Sequence, residues 1–144
     1  MSGAKARKRK RRTPYQLQKD RTWSAFSRFI RTRDCLDTTG DPERGRCFTC
    51  QREFEFAKLH AGHVVAGRNN ALLFDERGCY AQCYRCNIGE HGKPHEARDY
   101  VVMLYGEAAF EELRQLRFDG RKFTLEELHE MQLDYQRRTE EMNA

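Results

Sequence analysis

The feature that most constrains this chain is a pair of cysteine hooks, Cys47-Phe48-Thr49-Cys50 and Cys83-Tyr84-Arg85-Cys86. A C-x2-C turn aims two thiolates at one point, and two such turns supply the four sulfur ligands of a tetrahedral Zn2+ site. Four protein ligands leave no open position, so the expected zinc is structural. The 32 residues between the hooks are long for a bare zinc ribbon and imply that the metal closes the base of an inserted unit. Dithiol redox chemistry, the rival use of such pairs, calls for a thioredoxin-like βαβ context that is absent here. The basic N-terminus is followed by no apolar stretch, so no secretory signal is expected. Reduced cysteines then read as metal ligands before disulfides. Cys35 and Cys79 stand apart from the hooks and are expected to be small buried residues.

A staple suits the rest of the composition. The chain has 144 residues, 38% hydrophobic and 34% charged, enough for one domain with a thin core. No run approaches the 18 apolar residues of a membrane span. The net charge of +5 is concentrated at one end. Residues 1–12 hold seven basic residues (Lys5, Arg7, Lys8, Arg9, Lys10, Arg11, Arg12) and no acid, so the remainder is close to neutral. Residues 1–14 are expected to form a disordered arm. Such an arm binds phosphates by releasing counterions; its plainer use is as a solubilising tail. The body is then residues 15–144.

Along the body, Leu17, Trp23, Phe26, Phe29 and Ile30 predict a helix over 16–33 with an aromatic core stripe. Residues 37–45 read as a loop. Residues 46–95 are short, turn-rich and hold five of the six cysteines; 59–65 resembles a strand, 66–70 a polar loop and 84–91 one short helix closed by Gly92 and Pro94. Residues 96–142 are helical, with a break at Gly106 and a turn at Asp119-Gly120. Thr124-Leu125-Glu126-Glu127 fits a capping box. The stripe Leu125, Leu128, Met131, Tyr135 and Met142 suits a core or a partner-helix seam. The fold class expected is α+β, mainly α.

Chemistry-bearing residues crowd between the hooks. His60 and His63 share the strand, Arg68-Asn69-Asn70 follow, Asn87 comes straight after the last hook cysteine, and His91 lies four residues on. In a helix over 84–91, Asn87 and His91 share a face and can hold one cation. His63 can point at the same spot.

These residues resemble the HNH/HNN nuclease signature: Gly62-His63 on a strand, a loop, then Cys83-x2-Cys86-Asn87. The base histidine between two C-x2-C hooks is similar to the endonuclease VII type. The body resembles still more the NinG (Rap) recombination family of lambdoid phages. The matching segments are 25–34, Ala61-Gly62-His63, 73–77, 82–87, Tyr105-Gly106-Glu107 and the Thr124 helix start.

That resemblance implies a zinc-stapled ββα-metal core at 46–95, flanked by an N-terminal helix and C-terminal helices, and metal-dependent hydrolysis of phosphodiester bonds. His63 would be the general base and Asn87 a ligand of catalytic Mg2+ or Mn2+. His91 and His60 would be further candidates for the site, and Arg68 or Arg85 would clamp the phosphate. The implied substrate is branched DNA such as Holliday junctions or D-loops, bound by Lys8, Arg9, Lys10, Arg11 and Arg12 of the arm. A homodimer, phage recombination proteins as partners, and the nucleoid in the bacterial host cytoplasm are the implied setting, with no membrane. Two positions depart from the family pattern. His60 stands where an acid is usual three residues before the base. Gly78 stands five residues before Cys83, where an Asn normally orients the base; Asn69, Asn70 or Asp75 are candidates to replace it. Two other readings share these features: a non-catalytic zinc DNA-binding accessory protein, and a packaging-associated HNH nickase.

Overall fold

The first helix sets the frame. In the structure, a computed structural model that describes residues 3–6 and 10–144, α1 spans Pro14–Thr39. Thr13 and Gln16 exchange side-chain and backbone hydrogen bonds in a capping box, and Pro14 occupies the first turn, where no N–H is needed. The helix runs past the predicted end at 33 and through the first part of the predicted loop. No breaker precedes Gly40, which adopts φ +77° and donates its N–H to the Leu36 carbonyl. Thr38 and Thr39 donate their hydroxyls back to the carbonyls of Asp34 and Cys35, so the polar tail of the helix stays helical.

Two short antiparallel strands follow, β1 (Arg44–Arg46) and β2 (Glu53–Glu55), with Gly45 opposite Phe54. Gly45 is needed because a Cβ there would lie 2.7 Å from the Cys35 sulfur on α1. A 3-10 turn leads into β3 (Leu59–His63), which pairs antiparallel with β4 (Cys79–Cys83). The predicted strand 59–65 ends two residues early, because the chain turns away after one further bond, Val64 N–H to Gly78 carbonyl. The connection carries α2 (Asn70–Leu73) and a 3-10 turn at Glu76–Gly78.

After β4 the predicted short helix is instead a single π turn, Arg85–Gly89, closed by the Glu90 N–H on the Arg85 carbonyl at 2.8 Å. Gly89 at its end, Gly92 just beyond and an exposed Ile88 leave this stretch with neither the propensity nor the apolar stripe of an α-helix. His91 and Lys93 take left-handed backbone angles. Helices α3 (Pro94–Tyr105) and α4 (Glu107–Leu116) are split at Gly106, φ +90°, as predicted, and α5 (Leu125–Asn143) begins with the predicted Thr124–Glu127 capping box.

The β3–β4 pair sits between two helical layers. On one side α1 and α5 enclose Phe26, Phe29, Ile30, Cys79, Leu128 and Tyr135. On the other, α3 and α4 enclose Val64, Leu72, Tyr80, Ala97, Val101 and Leu113. Adjacent β4 residues Cys79 and Tyr80 serve opposite layers, as strand alternation requires. A polar lock ties α1 to β4: Arg33 pairs with Asp34 at 2.7 Å, Arg33 donates to the Glu76 and Cys79 carbonyls, and Asp34 accepts the Ala81 N–H. Cys35 and Cys79 are fully buried. Two members of the expected core stripe of α1 are not fully buried: Leu17 is exposed, and Trp23 is half-buried, packed against the edge of the α1–α5 core. No helix among the described residues is long and apolar enough to cross a membrane.

Candidate functional site

The β1–β2 turn carries the first hook, and the end of β4 with the π turn carries the second. Their four sulfurs, from Cys47, Cys50, Cys83 and Cys86, lie within 4.8 Å of one another. The Cys50 and Cys83 sulfurs are 3.9 Å apart, close to the ~3.8 Å that two sulfurs span across a tetrahedral zinc at ~2.3 Å. Three of the four side chains are buried and Cys50 is partly so. Although burial opposes it, hydrogen bonding from Thr49 and nearby backbone N–H groups lowers the Cys47 thiol to about 7. The donor set therefore fits one structural zinc ion. Among the described residues this is the one group of three or more His, Cys, Asp or Glu side chains close enough to hold a metal.

A second feature lies on the same strap, residues 83–93 from the end of β4 through the π turn. His63 at the end of β3 and Asn87 and His91 around the π turn all line a cleft of about 640 Å3, walled on the far side by α1. The left-handed His91 departs from the predicted shared helix face, yet both residues reach the cleft. His63 is held on two sides. Its ring stacks on Trp23 with centroids 5.2 Å apart, and its Nε2 lies 2.9 Å from the Leu73 carbonyl. A carbonyl only accepts, so Nε2 carries the proton and Nδ1 keeps the basic lone pair. Burial pushes the His63 pKa below its ordinary value, against a smaller opposing effect of that hydrogen bond.

The cleft is cationic. Arg12, Lys19 and Arg68 line it, and the one carboxylate among the lining residues, Asp20, is bound by Arg12 at 2.6 Å. Lys19 donates to the Arg68 carbonyl at 3.3 Å. Burial, then the like charges of Arg68 and Lys122, push its ammonium below the usual range. Such crowding is relieved by an anion.

The structure does not bring every sequence candidate here. Strand alternation turns His60 to the face opposite His63, where it is exposed beside Tyr84 at 5.9 Å. Arg85 lies on the cysteine side of the strap, 3.8 Å from Glu90. Lys10 and Arg11 are exposed; Arg7, Lys8 and Arg9 lie outside the described residues. The three candidates to orient His63 are engaged elsewhere. Asn69 bonds the Leu116 and Asp119 carbonyls, Asn70 bonds the Tyr15 hydroxyl, and Asp75 caps the turn at Arg77. The Leu73 main chain does that work, which a side-chain pattern cannot reveal. Sequence reasoning also missed Trp23, Lys19 and Asp20. Their signal was available, because Gln16, Lys19, Asp20 and Trp23 recur at helical spacing on one face of α1.

One connection joins the two features. Buried Gln82 donates from Nε2 to the Thr49 hydroxyl and to the Gly92 carbonyl, 3.0 Å each, and the Thr49 hydroxyl lies 3.3 Å from the Cys47 sulfur.

Fold and site define a mixed α+β chain, mostly helical, built around a four-cysteine site that can hold zinc and a basic cleft beside it. The family model described as Bacteriophage Lambda NinG protein matches residues 2–144, and the chain belongs to that family. No curated protein and no solved structure gave a match.

Proposed function

We propose that this chain is a metal-dependent DNA endonuclease of the HNH type that hydrolyses phosphodiester bonds in branched DNA. The observation that carries the reading is His63: an imidazole proton-locked at Nε2 by the Leu73 carbonyl, depressed in pKa, in a cleft lined by Arg12, Lys19 and Arg68. A neutral imidazole with one basic nitrogen is what a general base for water requires. His63 Nδ1 takes the proton as the water oxygen attacks phosphorus. Lys19 and Arg68 face the growing phosphate charge, and the bond to the 3′ oxygen breaks. Asn87 and His91 are the residues that would hold Mg2+ or Mn2+, an ion that supplies charge neutralisation at the phosphate and the departing oxygen. One amide and one imidazole form no closed cage; they suit an ion that keeps waters and takes phosphate oxygens, and the imidazole favours Mn2+. The unit β3–β4–π turn serves as the ββα-metal core, residues 15–144 as one nuclease domain, and the basic arm as a phosphate contact. A two-fold junction needs two such sites, hence a homodimer.

A specific observation favours a second reading, a zinc module that binds DNA without cutting it. The cleft's one carboxylate is already paired with Arg12. Incubating a labelled four-way junction and a linear duplex with Mg2+, Mn2+ or neither separates the two. Metal-dependent cutting of the junction, reduced on the order of 10²–10⁴-fold by His63→Ala, supports the nuclease. Binding with no cutting under any ion overturns it in favour of the DNA-binding module.

A further inference from the structure

A cavity larger than the His63 cleft lies elsewhere. It lies across the strap, over the cysteine hooks, with a volume of about 860 Å3. Four cations line it: Arg52, Lys58, Arg85 and Lys93. Arg52, Lys58 and Lys93 make no ion pair among the described residues, and Arg85 has only the 3.8 Å approach of Glu90, both side chains well exposed. A Zn2+ on four thiolates carries a net charge of about −2. That charge offsets two of these cations and leaves the others for another ligand.

Two exposed aromatic rings stand at this surface. Tyr84, between the two cysteines of the second hook, is 62% exposed. His60 stands 5.9 Å from it, also exposed. Neither ring is used to close a core. A tyrosine face flanked by unpaired arginine and lysine is the chemistry that holds single-stranded nucleic acid: the ring stacks on an unpaired base and the cations follow the backbone. Duplex bases are already stacked and offer no face to Tyr84.

We infer that the cysteine-hook face is a binding surface for single-stranded DNA, with Tyr84 as the base-stacking platform and Arg52, Lys58, Arg85 and Lys93 as phosphate contacts. The surface extends the nuclease reading to branched DNA with a displaced strand, such as a D-loop, which carries unpaired nucleotides where a four-way junction does not, but binding here requires no catalysis. One strap separates the two grooves: Tyr84, Arg85 and Lys93 face the hooks, whereas Asn87 and His91 face the cleft. An unpaired arm held on Tyr84 would present its adjoining duplex beside Asn87.

The test is fluorescence anisotropy of a labelled oligothymidylate with the zinc-loaded full chain, in the absence of Mg2+ and Mn2+. Tyr84→Ala, with its zinc content checked, should weaken binding roughly 5- to 150-fold, while Tyr84→Phe binds as the parent does. Arg52→Ala with Lys58→Ala should weaken it further and flatten its salt dependence. A linear duplex should bind Tyr84→Ala as tightly as the parent. If Tyr84→Ala binds the oligothymidylate unchanged, or if duplex binding falls by the same factor, the surface is not a single-strand site. The outcome is separable from the nuclease reading. His63→Ala should leave oligothymidylate binding intact, so a chain that binds through Tyr84 and never cuts sinks the nuclease alone.

Discussion

The indole of Trp23 lies stacked on the imidazole of His63, with ring planes 26° from parallel. One ring comes from α1 and the other from the end of β3, so the contact fixes the imidazole against an element that carries none of the four hook cysteines. The Leu73 carbonyl fixes the opposite side. Between them they set both the tautomer and the orientation of the ring.

Removing that wall should be felt in the protonation of His63 as well as in stability. Trp23→Ala gives up about 0.5–1.5 kcal/mol of ring–ring attraction beyond the apolar contact the indole makes with the core, and opens the imidazole to water. Desolvation is the main cause of the depressed pKa, so the His63 pKa should rise toward its ordinary value. Trp23→Phe should keep most of the depression. An NMR titration of the imidazole protons checks both variants. A pKa unchanged in Trp23→Ala would show that the stack does not set the environment of His63.

The pH dependence has a definite sign. Unfolded His63 takes up its proton near ~6.5, and folded His63 only at lower pH because of burial. Between those values the unfolded chain binds more protons, so stability falls as pH drops below about 6.5, and the loss is complete below the folded pKa. Catalysis by a neutral imidazole should persist to lower pH than an exposed histidine allows, with the acid limb of kcat/KM below 6.5. His63→Gln should remove this part of the pH dependence of chemical denaturation. Trp23, the one tryptophan of the chain, gives the fluorescence signal.

Zinc should hold the strap as well as the hooks. Cys83 ends β4 opposite Leu59, and Cys86 opens the turn that presents Asn87. Elemental analysis should find one zinc per chain. A strong chelator should lower the thermal midpoint and release the protection of the β1–β2 and π-turn amides in hydrogen exchange, because binding energy at such sites is folding energy. Cys83→Ser should bind less zinc, whereas Cys35→Ala, which removes a thiol outside the cluster, should keep the full amount. Equal zinc in Cys83→Ser and the parent would exclude the four-thiolate site.

Much of this was legible in the sequence because the signals were local. The hooks declare themselves by spacing, Gly106 breaks the helical run by its backbone freedom, and Thr124 with Glu127 forms a cap from four residues. What escaped required three-dimensional information. Whether His60 or His63 faces the cleft depends on strand register, and an alternation of one residue separates them. Trp23 reads as core on an aromatic stripe, and only the packing of α1 against β3 turns it to His63. The Leu73 carbonyl carries no residue identity at all. The helix expected over 84–91 is shorter and of π geometry, because spacing alone could not weigh Gly89, the following Gly92 and the anchoring of Cys83 and Cys86 against α-helical geometry.

The residue at 78 offers a test of how this chain orients its histidine. The NinG resemblance places an Asn here, yet Gly78 is buried and a Cβ added to it would sit 3.2 Å from a Leu113 methyl carbon. Gly78 also accepts the Val64 N–H and donates to the Asp75 carbonyl, so the backbone has little room to withdraw. Gly78→Asn should therefore overpack the layer between β4 and α4 and destabilise the protein by about 1–3 kcal/mol. It should bring no gain in activity, because Nε2 of His63 already has its acceptor in Leu73. Denaturation with a paired junction-cleavage assay checks this. Stable Gly78→Asn protein with faster cleavage would mean that the main-chain carbonyl is an incomplete substitute for the amide.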